Sequence, residues 1–248
     1  MMKLRVLVAI CWLLLLAGAP PAAAQITVTS LTSGADTTDA DSYVTASISP
    51  TGNRLLLLCV VNTGTVAASP TATGNGLTWV TVNNQTWGVT NQTSILRAMG
   101  ASPSSGAVTI DFAGNTRTGT AWSITQFANV DTSGTDGSGA VVQSNGGSEV
   151  LSTTAGITLN AFGSPDNIAY GCLGIGVQEN ITPGAGFTEV QEVGYATPGT
   201  ELETEWQLNQ TSVVWSWTTL ATAGGVAVEI AFAAGGVPGS RLLLGAGQ

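Results

Sequence analysis

Arg54-Leu-Leu-Leu-Leu-Cys-Val-Val61 is the stretch that decides the fold. It is short, aliphatic and unbroken after Arg54, which reads as a strand covered on both faces and not as an amphipathic helix. Ile168-Ala-Tyr-Gly-Cys-Leu-Gly-Ile-Gly-Val177 answers it in the second half of the chain and carries the other cysteine outside the N-terminal segment. Neither run holds any chemistry. Both read as core.

Outward from these runs the chain is short apolar segments separated by Gly, Pro, Asn and Ser. The sequence has 32 Gly and only 8 % charged residues. Val, Thr and Ile suit a pleated face and Gly suits tight turns, so the expectation is all-β, with about 12 short strands. Residues 131–148 are Gly, Ser, Thr and Asp with little apolar content and read as a surface loop between two halves.

The halves are weakly alike. Gly76, Thr78 and Val80 recur as Gly186, Thr188 and Val190, Val108 and Phe127 recur as Val213 and Phe232, and Pro50 and Pro165 each precede an apolar run with a cysteine. A real repeat predicts two halves related by a pseudo-dyad within one sandwich.

At the N-terminus, Lys3 and Arg5 precede the apolar residues 6–17 and the small-residue run Ala22-Ala23-Ala24. This is the pattern of a secretory signal peptide over residues 1–24. Its apolar part is shorter than the ~20 residues that span a bilayer, so the expected product is exported without a membrane span. A β-sandwich domain over residues 25–234 and a tail over 235–248 complete the expected organisation. The tail, with Arg241-Leu-Leu-Leu244, is either a frayed end or an apolar peptide that adds to a neighbouring subunit and makes a homo-oligomer.

Without the leader, Arg54, Arg97, Arg117 and Arg241 are the only basic side chains against 15 Asp and Glu. Nucleic acid, whose binding depends on Lys and Arg displacing counterions, is a poor partner for such a surface. The chain contains no His. That removes Ser-His-Asp hydrolysis and the usual zinc sites and leaves carboxylate chemistry.

Several features together resemble a jelly-roll (concanavalin-like) β-sandwich module that recurs in phage structural proteins and in secreted proteins of environmental bacteria. They are Gly52-Asn-Arg-Leu-Leu56, Gly76-Leu-Thr-Trp79, Phe127-Ala-Asn-Val-Asp131 before a Gly/Ser loop, and a last strand over residues 227–232. The resemblance implies two antiparallel sheets and an extracellular or virion-surface role in adhesion or glycan contact. It brings no catalytic residues with it.

The candidate sites are few. Glu201-Leu-Glu203-Thr-Glu205 resembles the alternating acidic strand of jelly-roll glycosidases of the laminarinase type, with Glu where they have a middle Asp. Alternation puts the three carboxylates on one face, with Glu189 and Glu192 of the preceding strand near it or its rim. The competing expectation is a solvated outer strand face. Trp87, flanked by Asn84, Gln85 and Gly88, suits stacking against a sugar ring, and Tyr195 in a comparable turn suits the same. Both also suit aromatics folded over the rim. Asp36, Asp39 and Asp41 could ligate Ca²⁺ if their turn gathers them. Cys59 and Cys172 are either a disulfide, as an exported protein allows, or two small buried side chains.

Overall fold

The computed structural model describes residues 25–233. The expected signal peptide and the tail 235–248 lie outside the described residues. Among the described residues there is no helix, and so none long and apolar enough to cross a membrane.

The strands in chain order are β1 (Thr27–Asp36), β2 (Ser42–Val44), β3 (Leu55–Gly64), β4 (Thr71–Gly74), β5 (Leu77–Thr78), β6 (Val80–Trp87), β7 (Asn91–Ala98) and β8 (Val108–Asp111). They continue as β9 (Arg117–Ala128), β10 (Val141–Thr158), β11 (Ile168–Ile175), β12 (Thr182–Pro183), β13 (Thr188–Ala196), β14 (Gly199–Leu208) and β15 (Ser212–Ile230). One main sheet has the order β1-β9-β3-β7-β6, and the other β10-β15-β11-β14-β13, with β12 paired onto β15. All pairings in them are antiparallel.

The two decisive runs are the central strands of the two main sheets. Alternation sends Leu55, Leu57, Cys59 and Val61 of β3, and Ile168, Tyr170 and Cys172 of β11, into the core between the sheets. The remaining residues do not meet water either. Leu58 and Val60 face a second core under a small sheet, β2-β8-β4-β5. Ala169 and Leu173 face a third core with Val213, Trp215 and Trp217. Both faces of each central strand are therefore covered, which is why neither run shows polar alternation.

The third core is closed by a ribbon. β10 and β15 pair from Val141↔Ile230 to Thr158↔Ser212, with register breaks between Glu149 and Thr154, while β11 takes up only the 223–230 part of β15. The other end of the ribbon folds over the outer face of β11 and β14. There Trp215 and Val213 lie so close to Gly171 that a Cβ on it would stand 2.4 Å from the indole.

The two main sheets have the same wiring. Cys59 stands opposite Ile95 of β7 and Ser123 of β9; Cys172 stands opposite Thr204 of β14 and Val226 of β15. One strand further out, Ile95 faces Asn83 and Thr204 faces Gln191. Each edge strand then slips by one residue, between Thr81 and Asn83 and between Glu189 and Gln191, which makes Val82 and Val190 equivalent bulges. Between the sheets, β1 lies on β13, β6 on β10 and β3 on β11. Val61 meets Gly174 just as Cys59 meets Cys172. Central strands that face each other in parallel, with the edges exchanged, are what an approximate twofold axis along the central strands produces.

Cys59 and Cys172 are bonded across this axis, with Cα atoms 6.2 Å apart. Residues related by a twofold can touch their own counterparts only beside the axis. The disulfide marks it.

The structure corrects several expectations. There are 15 strands among the described residues, and the small sheet β2-β8-β4-β5 adds a layer to the expected two. The segment expected as a loop over 131–148 becomes β10 at Val141, because pairing with β15 supplies backbone partners that its polar side chains do not advertise. The letter matches are displaced: Val80 is equivalent to Thr188 and Phe127 to Ile230, two residues from the sequence alignment in each case. A two-residue slip preserves the face of a strand, so the period survived while the position did not. The all-β sandwich stands as expected. Its finer jelly-roll description does not follow from this strand order, because each main sheet takes its strands from one half of the chain.

Candidate functional site

β14 reads Gly199-Thr-Glu-Leu-Glu-Thr-Glu-Trp-Gln-Leu208. Leu202 points into the central core. Glu201, Glu203 and Glu205 therefore share the opposite face. Register places Glu189 directly across from Glu205 and Glu192 directly across from Glu203. Directly opposed residues have Cβ atoms roughly 5 Å apart. The result is a five-carboxylate face on two strands.

On β14 this face is not solvated, which corrects the expectation of an open outer strand, while on β13 Glu189 is exposed and Glu192 half-buried. Glu203 and Glu205 are fully buried and Glu201 is nearly so. The folded-over ribbon and the segment around β12 cover it. Trp215 Nε1 donates to Glu203 Oε2 at 2.5 Å, the Gly184 amide donates to Glu205 Oε2 at 3.0 Å, and the Ile181 amide donates to Glu192 Oε1 at 2.5 Å. Oε1 of Glu203 and Oε1 of Glu205 are buried with no partner.

Burial in a region without cations favours the neutral acids. Residues 118–240 contain no Lys, Arg or His. Burial, and after it the Glu192 carboxylate, push Glu201 up to about 7. Burial pushes Glu205 up to about 8 against the pull of the Gly184 amide. Glu203 is raised well above the usual range by burial and then by Glu205, with the Trp215 hydrogen bond acting the other way. Burial also raises Glu192, opposed by the Ile181 amide. Two carboxylates ~5 Å apart at an effective dielectric of ~20 would repel by about 3 kcal/mol, which disfavours ionising close neighbours together.

The first half shows that the fold does not require these acids. Equivalent positions on β7 are Gln92, Ser94 and Leu96, and the partners equivalent to Glu189 and Glu192 are Thr81 and Asn84. The same scaffold closes over an apolar Leu96 in one half and over Glu205 in the other. Perturbed acids that the fold can do without mark a candidate functional site.

Trp87 and Tyr195 are corrected. They are equivalent residues, each four beyond the matched positions Asn83 and Gln191, and both are buried. Trp87 crosses from β6 onto Gly224 of the other sheet, where a Cβ would stand 2.1 Å from the indole, and its Nε1 donates to Thr93 Oγ1 at 3.0 Å. Tyr195 crosses the opposite way onto Gly119, and its hydroxyl hydrogen-bonds Thr63 Oγ1 at 3.0 Å. They are paired plugs of the central core, and neither ring is free to stack on a sugar. Of their neighbours, Gln85 donates to the Thr86 carbonyl and Asn84 Oδ1 is buried without a partner.

The acidic turn is corrected too. Asp36 Oδ1 accepts from the Thr38 amide at 2.7 Å, an Asx-type turn, and among the described residues no three of Asp, Glu, Cys and His gather as a metal set. Asp36, Asp39 and Asp41 are not assembled as Ca²⁺ ligands.

Two features were not legible as sites. The cross-strand pairs Glu189/Glu205 and Glu192/Glu203 depend on a bulge that no residue in the sequence announces. Arg117 is fully buried without a carboxylate, donating from Nη1 to Asn62 Oδ1 at 3.0 Å and to the Val66 carbonyl at 2.7 Å and lying 5.7 Å from the Phe112 ring centroid. It ties the loop after β3 to the start of β9.

No protein-family model matches the chain, and none of the curated proteins or solved structures searched matches it either.

Proposed function

We propose that the protein is an exported, non-catalytic β-sandwich module that makes contacts outside the cell, with a glycan, a cell surface, or other subunits of an appendage or virion. The observation that carries this reading is one end of the sandwich. Val89, Val150, Leu151 and Leu220 are exposed there, Val89 at 87 %. The β6–β7 turn at Gly88 abuts Thr222, two residues past Leu220, and Ala221 pairs with Ser152 next to Leu151. Val89 has φ 77° and Leu151 φ 49°. Left-handed backbone is unfavourable for a β-branched side chain and costs roughly 1–3 kcal/mol, a strain that clusters at functional positions. The buried Cys59–Cys172 disulfide supports an oxidising compartment.

The test uses Val89→Asn with Leu151→Asn, since Asn accepts left-handed backbone and leaves the fold intact. Binding to insoluble polysaccharides and cell envelopes is measured beside size-exclusion chromatography. Loss of binding or of self-association in the variant supports the reading; equal behaviour of variant and parent contradicts it.

A second reading, glycoside hydrolysis at β14, draws on Glu189 and Glu205, which stand directly opposite each other in register, since a retaining mechanism needs two carboxyls that can approach to about 5 Å. It requires the cover to open. Release of reducing ends from a β-glucan, abolished by Glu205→Gln, would establish it in place of the first.

A further inference from the structure

We propose that the segment 180–185, including β12, is a pH-sensitive cover over the carboxylate face of β14, closed while the glutamates carry protons and released when they ionise. This cover is independent of the proposed contact function.

The geometry defines what holds the cover. Two amides fix it to carboxyl oxygens, from Ile181 to Glu192 and from Gly184 to Glu205. Its only strand pairing is Thr182↔Ser216 and Pro183↔Trp215 on the folded-over ribbon. Trp215 in turn is pinned to Glu203. The cover is thus held by the Ile181 side chain, buried in the third core, by this short pairing and by two glutamates, with Glu203 fixing the Trp215 it rests on.

Every element around the face leaves the glutamates without a cation. β13 contributes Glu189 and Glu192. β11 contributes Gly171, Leu173 and Ile175, none of which titrates. The ribbon contributes Val213, Trp215 and Trp217 from β15 and Ile157 from β10. Glu229 lies farther along β15, held by Asn167 and Gln143, and Tyr170 points into the central core on the other side of the sheet. Just before the cover, Glu179 accepts from the amides of Thr218 and Thr219. An ionised Glu203 or Glu205 would leave an orphaned Oε1 charged and dry. A neutral buried acid is far less costly than an unpaired buried charge. Water must reach the ionised groups, and the short β12 segment is the cover that has to move.

Hydrogen–deuterium exchange of the full chain at pH 5 and pH 9, corrected for the intrinsic rate of exchange, tests this. Protection of the Ile181, Thr182 and Gly184 amides should fall by about tenfold or more at pH 9, as expected when a proton-linked closure is lost, while β3 and β11 stay protected. Glu205→Leu, which restores the residue of the equivalent Leu96 position, and Glu203→Gln with Glu205→Gln should each remove most of the pH dependence. Circular dichroism identifies which variants fold. Unchanged protection in the parent protein, or an equal loss in a folded variant, overturns the proposal.

Discussion

Val82 and Val190 are the bulged residues of the two edge strands, one in each half, and both side chains pack against the central core. A bulge is a local device that bends a strand and re-aims the residues after it. Here it re-aims Trp87 in one half and Tyr195 in the other, each turned inward across the sandwich. Common strand order could arise from packing alone. A common bulge at a matched position is a stronger sign of one plan used twice.

Deleting either valine should make the same point by stability. Without the extra residue Thr81 and Asn83, or Glu189 and Gln191, become neighbours whose partners are already adjacent, so the ladder closes without its bulge and the register beyond it is kept. Each deletion should cost the packing of one partly buried valine and the local bend, roughly 1–3 kcal/mol, read by urea unfolding. An effect at Val82 with none at Val190 would contradict the equivalence.

Trp87→Ala and Tyr195→Ala should each destabilise by about 3–5 kcal/mol, because each empties the core of a buried aromatic. Gly224→Ala should displace Trp87 while leaving its side chain unchanged, because the added Cβ would stand 2.1 Å from the indole. Quenching or shifting of tryptophan fluorescence in Gly224→Ala, with a lowered Tm, is the expected result.

Stability should fall as pH rises across the neutral range. Glu201 and Glu205 are pushed up to about 7 and about 8 in the folded chain, above the ordinary glutamate value of 4.5. The folded state therefore holds more protons than the unfolded one between those values, and the slope of unfolding free energy with pH is negative there. The contribution is full below pH ~4.5 and is lost by pH ~8, at up to about 1.4 kcal/mol per pH unit for each proton. A Tm series from pH 4.5 to 9 checks the sign, and a flat or rising series contradicts it.

Glu205→Leu should cost about 1–2 kcal/mol at pH 5, where it strips the Gly184 amide of its acceptor, and become stabilising relative to the parent by pH 8, since it removes a buried acid with an unsatisfied oxygen. Leu96 already fills the equivalent place in the first half. Chemical denaturation at the two pH values measures the difference.

The sequence was most legible where burial is uniform. The run from Leu55 to Val61 has both faces covered, so its apolar letters name its place without reference to any partner. β10 was illegible for the opposite reason: it is an edge ribbon whose polar side chains face water and whose identity lies in its pairing with β15. The carboxylates of β14 were found by alternation, but their burial was not, since the cover over them comes from β12 and β15, and nothing in Glu-x-Glu-x-Glu encodes a partner from another strand. Trp87 was misread because its turn-like neighbours describe the backbone, whereas its ring is placed by Gly224, far away in sequence.

The disulfide tests the twofold plan most directly. Cys59 and Cys172 are 113 residues apart and sit at matched positions of the two central strands. Closing so long a loop stabilises by roughly 5 kcal/mol in the chain-entropy picture. The measurement is non-reducing peptide mapping of the protein by mass spectrometry, with thiol alkylation under native conditions. One cross-linked pair of peptides, from β3 and β11, is expected, with no alkylation until the protein is unfolded and reduced. Thiols at Cys59 and Cys172 that alkylate separately after unfolding without reductant would place the central strands apart and contradict the twofold plan.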